Sequence, residues 1–197
     1  MVVSASGSKL NLEDGRQVLD SCCGASVTLI GHGNAEVTAA AVAQMNKVSY
    51  VHTMQYGTSA AEELANCILE PHPSSPHFDH GLVKAYFVGS GSEANDAALK
   101  CMKQYWIEKG EPQRKVYVSR RQAYHGGTIG AMSISGMPAR KLQYDGIMMP
   151  NVEFVGAADA FHRRGEDETE EDFVERLIEE IEEVFERVGV DNIISFM

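Results

Sequence analysis

The stretch Tyr86–Lys100, YFVGSGSEANDAALK, constrains this chain more than any other segment. The apolar run from Leu82 to Val88 suits a buried strand, Gly89-Ser90-Gly91-Ser92 turns the chain, and Glu93 to Lys109 has helical length and spacing. A strand that feeds a helix through small residues leaves several backbone N–H groups aimed at one spot, where the helix dipole also favours negative charge. Gly89 and Gly91 let the backbone approach a ligand, and the Ser90 and Ser92 hydroxyls add donors, so a phosphate monoester fits. Glu93, Asn95 and Asp96 enrich the helix start, where acids are favourable in any case. The same residues also make a serine-capped turn that binds nothing. Neither the nucleoside-triphosphate loop motif nor the dinucleotide fingerprint is present.

Downstream the pattern is α/β. Strands are expected at Lys115–Ser119, at Asn151–Val155 and in the closing NIISFM (Asn192–Met197). Helices are expected from Gly127 to Ser133, with Pro138 marking the later end, and from a Thr169 cap to about Val188. The second carries an apolar stripe through Phe173, Leu177, Ile181, Val184 and Val188. Alternating strands and helices imply a mostly parallel sheet with helices on both faces. NIISFM reads as an unpaired apolar strand, so the chain is expected to be truncated there.

Upstream, Leu10–Leu12 and Gln17–Ser21 flank an Asp14-Gly15 turn and suggest a hairpin. Gly31-His32-Gly33-Asn34 is a loop, and Ala35–Lys47 has helical apolar spacing. A further helix fits Thr58–Glu70, with Thr58 or Ser59 as its N-cap, Glu62 spaced from Ser59 for a capping box, and Pro71, Pro73 and Pro76 ending it. His72, His77 and His80 follow with irregular spacing and read as exposed loop residues, not metal ligands.

A net charge of −11 argues against a nucleic-acid partner, whose phosphates need a Lys/Arg surface. Residues 166–186 hold twelve acids and one arginine, which reads as a solvated helix face. No apolar run reaches membrane-spanning length, and the first residues lack the basic start and apolar stretch of a secretory signal, so a cytoplasmic protein is expected. Cys22, Cys23, Cys67 and Cys101 show no ligand-pair spacing and read as free, partly buried thiols.

A second chemical feature follows the Lys115–Ser119 strand: Tyr124-His125-Gly126-Gly127-Thr128. A flat ring beside a flexible glycine pair suits a loop that lays the ring on a planar ligand, a contact worth about 0.5–1.5 kcal/mol beyond area burial. An ordinary surface turn with a half-buried tyrosine is the alternative.

Taken in order, these segments resemble class III (omega) aminotransferases, which are fold-type I pyridoxal-phosphate enzymes. The resemblance runs over nearly the whole chain: VLDSCCGASVTLIGHGNAEVTAAAVAQM (Val18–Met45), HTMQYGTSAAEELA (His52–Ala65), FVGSGSEANDAALK, AYHGGT and SISGMP (Ser133–Pro138). It implies residues 1–55 as a segment of the small domain and residues 56–197 as the N-terminal part of the cofactor-binding large domain, incomplete at its C-terminus. It implies pyridoxal 5'-phosphate as cofactor, with Gly91 and Ser92 on the phosphate, Ser90 in the same turn, Tyr124 stacked on the pyridine ring and His125 supporting that loop. Glu93 would brace the site from behind, and Tyr56 would line the substrate channel. It implies a homodimer, a small-molecule amine or amino acid as donor and a keto acid or aldehyde as acceptor.

The family's chemistry also needs a lysine that joins the cofactor covalently and moves the substrate proton, and an aspartate that keeps the pyridine nitrogen protonated. Both are expected after the point where this chain ends. Lys84, Lys100, Lys103, Lys109 and Lys115 read as surface charges, so no residue of this chain is assigned a catalytic role. The alternatives are an inactive fragment or interaction module, a family relative catalysing racemisation, decarboxylation or elimination, and a generic sugar-phosphate or nucleotide-binding α/β domain.

Overall fold

The computed structural model describes residues 1–70 and 81–197, so His72, His77 and His80 lie outside the described residues. The chain forms two compact units, Met1–Ala85 and Tyr86–Met197.

In the first unit, β1 (Val2–Ser6), β2 (Lys9–Leu12) and β3 (Gln17–Leu19) make an antiparallel sheet in that order. The expected hairpin is its β2–β3 half, and β1 is an added edge that the sequence reading missed. A single turn, α1 (Cys23–Ser26), follows with positive φ at all four residues. The Asp20 carboxylate holds its start, accepting the Cys23 N–H at 2.8 Å and meeting His32 Nε2 at 3.0 Å. The His32 hydrogen bond, ahead of the backbone amides, keeps Asp20 below its ordinary value.

Helix α2 (Ala35–Lys47) starts where Asn34 Oδ1 accepts the Val37 N–H at 3.0 Å. Helix α3 (Ser59–Leu69) is capped by Thr58, whose hydroxyl accepts from Ala61 N. That places Ala61, not Glu62, at the third helical position, so the expected Ser59–Glu62 capping box does not form. The thiols of Cys22, Cys67 and Cys101 are free and exposed, and only Cys23 is half-buried, a correction to partly buried thiols throughout. No residue of α2 or α3 is fully buried.

The second unit is α/β. Its parallel sheet has the order β5 (Val152–Val155), β4 (Val116–Arg120), β6 (Ile193–Phe196). Side chains alternate across it, so neighbouring residues serve opposite faces. On one face Tyr117 and Ile194 pack with Leu99 of α4 (Gly91–Glu108) and Ile134 of α5 (Ile129–Ile134). On the other, Val118, Val155 and Ile193 pack with Val184 of α8 (Glu170–Val188). Val118 and Ile134 are fully buried, each contributing roughly 2 kcal/mol by transfer from water. Two polar side chains of this core find partners: Tyr117 donates to Leu99 O at 2.7 Å, and Trp106 Nε1 donates to Ile194 O at 2.8 Å.

Three expectations change here. NIISFM is not unpaired, because β6 lies parallel beside β4. Residues 82–88 join no sheet among the described residues, since a ladder needs a neighbouring strand, and Tyr86 stays 79% exposed. Pro138 ends no helix but opens the short α6 (Pro138–Lys141), as proline suits a first helical turn.

The acidic segment is anchored at its start. Thr169 and Asp172 form the capping box of α8, and α7 (Ala160–Arg163) precedes it. Arg176 grips Glu168 with two bonds, Nε at 2.8 Å and Nη2 at 3.0 Å, while Gly165 N–H adds a third at 2.9 Å. The Arg176 bond first, and then the amide, hold the Glu168 carboxyl at about 2 against an ordinary 4.5. A carboxylate with a depressed value stabilises the fold above its ordinary value and loses that contribution as pH falls through its folded value. Glu168→Gln is therefore expected to lower Tm at neutral pH, with the gap to the parent closing between about 4.5 and about 2 in a pH series of thermal melts.

Candidate functional site

The carboxyl ends of parallel strands are where open α/β sheets present ligands. Loop 121–128 leaves the carboxyl end of β4 and runs directly to the start of α4. There Ser92 Oγ accepts the Gly127 N–H at 3.0 Å, and the Thr128 hydroxyl donates to Ser92 O at 3.4 Å. One turn further along α4, Asn95 Nδ2 donates to His125 O at 2.6 Å and Asp96 Oδ1 accepts the Ala131 N–H at 2.8 Å. The helix start and the aromatic loop thus form one unit, tied by side chains of three α4 residues.

Ser90 is the N-cap of α4. Its Oγ accepts from Glu93 N at 3.2 Å and donates its single hydrogen to Glu93 Oε2 at 3.2 Å. The Glu93 carboxylate in turn lies against Gly89, where a Cβ would come within 2.8 Å of Oε2. With Glu93 N and Ala94 N already bonded to Ser90, the Gly91 and Ser92 amides are left without a protein acceptor among the described residues. The Ser92 hydroxyl, an acceptor from Gly127, keeps its own hydrogen to donate.

His125 is held from three sides: its N–H donates to Ser135 Oγ at 2.9 Å, its carbonyl accepts from Asn95, and Nε2 lies 3.3 Å from Ser119 Oγ. Burial lowers its pKa below the ordinary 6.5, which favours the neutral ring. Tyr124, one residue earlier, is 59% exposed with the Arg140 guanidinium 5.0 Å from its ring centroid. A cleft of about 470 Å³ opens beside it. Tyr56 belongs to the other unit and is exposed.

Sequence reasoning missed Ser119, Asn95, Asp96 and Ser135 as loop supports. Ser119 and Ser135 are buried, and no local signal marks them. Asn95 and Asp96 could have been found, since Ser92, Asn95, Asp96 and the buried Leu99 fall on one helical face, where polar groups need partners. One lysine departs from the surface reading: Lys103 Nζ donates to the carbonyls of Pro112 and Arg114; Lys141, for which the sequence suggested no role, donates to Ser133 O at 2.9 Å and Ser135 O at 3.0 Å.

The second unit is thus a two-faced α/β layer with free helix-start amides beside an exposed ring. A family model for class III aminotransferases matches residues 1–197. An aminotransferase of Schizosaccharomyces pombe is 39% identical over 196 residues, covering 100% of this chain and 41% of that protein. The structure of an (S)-enantioselective omega-transaminase from Thermomicrobium roseum matches with a TM-score of 0.86 at 34% identity, over 100% of this chain and 42% of that one. An omega-transaminase from Pseudomonas jessenii, solved in complex with PMP, matches with a TM-score of 0.91 at 26% identity, over 100% of this chain and 42% of that one. The chain belongs to the class III aminotransferase family. It spans about two fifths of the length of the relatives it matches.

Gly126 makes the junction possible. Its φ is +136°, and a Cβ there would lie 2.5 Å from Ser92 Oγ and 2.8 Å from Ser92 Cα. Gly126→Ala is expected to cost about 1–3 kcal/mol from backbone strain and overpacking together, read as a fall in the denaturant midpoint.

Proposed function

We propose that this chain supplies the phosphate grip and the ring platform of a pyridoxal 5'-phosphate-dependent aminotransferase, which moves an amino group between an amine or amino acid and a keto acid or aldehyde. The observation that carries the reading is the Ser92–Gly127 hydrogen bond, which fastens an amide-rich helix start to the loop bearing Tyr124. The donor set fits the cofactor: two uncommitted amides, one hydroxyl hydrogen and a helix dipole suit a doubly charged ester.

In this reading Gly91 and Ser92 hold the phosphate through their N–H groups, with the Ser92 hydroxyl as a further donor. Ser90 takes part as the cap that fixes the direction of both amides. Tyr124 covers the pyridine ring, and neutral His125 keeps the loop in register through Ser135, Ser119 and Asn95. Tyr56 lines the substrate channel. When bound, pyridoxal phosphate supplies the electron sink that the transfer needs. The lysine and aspartate of the family's chemistry are not assigned to any residue of this chain.

The reading extends to a homodimer in the cytoplasm. Supporting the first, Val37, Val42 and Met45 of α2 are more than half exposed, a state that a partner surface would relieve. Supporting the second, the exposed free thiols of Cys22, Cys67 and Cys101 suit a reducing compartment. Among the described residues no helix is long and apolar enough to cross a membrane.

Equilibrium titration of the protein with pyridoxal 5'-phosphate and with pyridoxal tests the grip. The phosphate ester is expected to bind far more tightly, and Ser92→Ala to weaken it about tenfold, in line with a hydrogen bond to a charged group. Equal affinity for the two compounds would remove the basis of the assignment.

A further inference from the structure

The loop that carries Tyr124 is paired with a short rail, Ser135–Gly136, where the chain leaves the end of α5. The His125 N–H donates to Ser135 Oγ at 2.9 Å, the Gly136 N–H donates to Ala123 O at 2.9 Å, and the Gln122 N–H donates to Gly136 O at 2.7 Å. Tyr124 therefore lies between two residues, Ala123 and His125, whose backbones are both bonded to the rail. The approach is close, since a Cβ on Gly136 would collide with Arg120 O. Ser135 itself is buried, and its hydroxyl donates to Ala131 O at 2.8 Å.

The other side of the rail is held by one side chain. Lys141 Nζ donates to Ser133 O at 2.9 Å and to Ser135 O at 3.0 Å, and it lies 4.6 Å from the centroid of the Phe154 ring. Carbonyls at the end of a helix have no partner within it, and a lysine just beyond can satisfy them. Phe154 belongs to β5, in register with Ser119 of β4, whose hydroxyl stands beside His125 Nε2. The ammonium thus joins the sheet, the end of α5 and the rail at one point. We propose that Lys141 is a positioning residue for the cofactor-ring platform: it fixes Ser135 and Gly136, and they fix loop 122–125 and with it the Tyr124 ring. The role of that ring rests on the aminotransferase reading above, whereas the clamp belongs to the unloaded protein. A lysine that only satisfied two helix-end carbonyls would stabilise α5 without bearing on the loop, and the two roles differ in what they move.

Amide hydrogen exchange, followed by NMR in the unloaded parent and its Lys141→Met and Lys141→Arg variants, reads the clamp directly. Methionine keeps an unbranched apolar stem and donates nothing. In Lys141→Met the His125 amide is expected to exchange on the order of tenfold faster, as for the loss of a hydrogen bond from a charged group. The Tyr117 amide, bonded to Asn151 O at 3.0 Å in the sheet, should not change. Lys141→Arg keeps a cation with donors and should restore part of the His125 protection. Titration then reads the platform. Lys141→Met is expected to raise the pyridoxal 5'-phosphate Kd about fivefold and to leave unchanged that of inorganic phosphate, which needs only the α4 amides and hydroxyl. In a Ser135→Ala background the His125 amide has already lost its acceptor, so Lys141→Met should add less than it does alone. The proposal is overturned by equal His125 exchange in parent and Lys141→Met, or by a Tyr117 amide that accelerates to the same degree. Equal losses of pyridoxal phosphate and inorganic phosphate affinity, or full additivity with Ser135→Ala, overturn it too. A parent that binds pyridoxal phosphate no better than pyridoxal is a separate result, which removes the aminotransferase reading and leaves the clamp to be judged by exchange.

Discussion

The site in the second unit depends on a ladder of side chains along one face of α4. Ser92, Asn95 and Asp96 reach, in that order, the Gly127 amide, the His125 carbonyl and the Ala131 amide. The first two bonds join a helix side chain to loop backbone and the third reaches the first turn of α5, so the loop and its exit are held by polar contacts. A buried or half-buried backbone group left unpaired costs about 1–3 kcal/mol, so the loss of one rung is felt by its neighbours. The ladder also explains why glycines sit where they do. Gly126 leaves space for Ser92, and Gly130 stands against the Asp96 carboxylate, where a side chain would collide.

Above this ladder the parallel sheet acts as the reference frame. Strand β4 is the centre of the described three strands, packed on one face by α4 and α5 and on the other by α8. Its last residues deliver the loop, and buried Ser119 on that strand stands beside His125 Nε2. The loop is therefore braced from the sheet as well as from the helix. At the α4 start the Gly91 and Ser92 amides and the Ser92 hydroxyl hydrogen have no protein acceptor among the described residues, and the exposed Tyr124 ring lies under the Arg140 guanidinium. Rigid support beneath a few free donors is the arrangement that binding sites require.

Much of this was legible in the sequence because it rests on short-range rules. The Gly/Ser turn, the Thr169 cap, the apolar stripe of α8 and the alternation of strands and helices are all set by neighbours within a few residues. The α/β class with covered faces follows from that alternation. The failures have a common cause, which is that they concern partners distant in the chain. Residues 82–88 have strand composition yet join no sheet among the described residues, whereas NIISFM pairs with β4. Of the two cap candidates the sequence offers for α3, Thr58 is the one used, and the Ser59–Glu62 box fails because the choice depends on where the backbone leaves the extended region. Ser135 lies ten residues from His125, and its role appears only once α5 folds back under the loop.

Charge placement keeps the acids of this chain away from the open amides at the start of α4. Its net charge is −11, and twelve of its acids crowd into residues 166–186. Those residues include most of α8, which packs on the Val118 and Val155 face of the sheet. Helix α4, whose first turn offers the free amides, packs on the opposite face through Leu99. The sheet thus stands between the densest negative charge and the helix start. Several of those acids are also neutralised locally, Glu168 and Glu180 by Arg176 and Glu180 again by Arg163. At physiological ionic strength, exposed charges more than about 8 Å apart are largely screened. The field at the α4 start is therefore governed by what lies close to it: the helix dipole, two donor amides and an unpaired guanidinium beside the Tyr124 loop. Glu93 is the one acid built into that turn, and its carboxylate is turned back to the Ser90 hydroxyl and the Gly89 backbone. Local geometry, not net charge, decides the sign that a ligand meets.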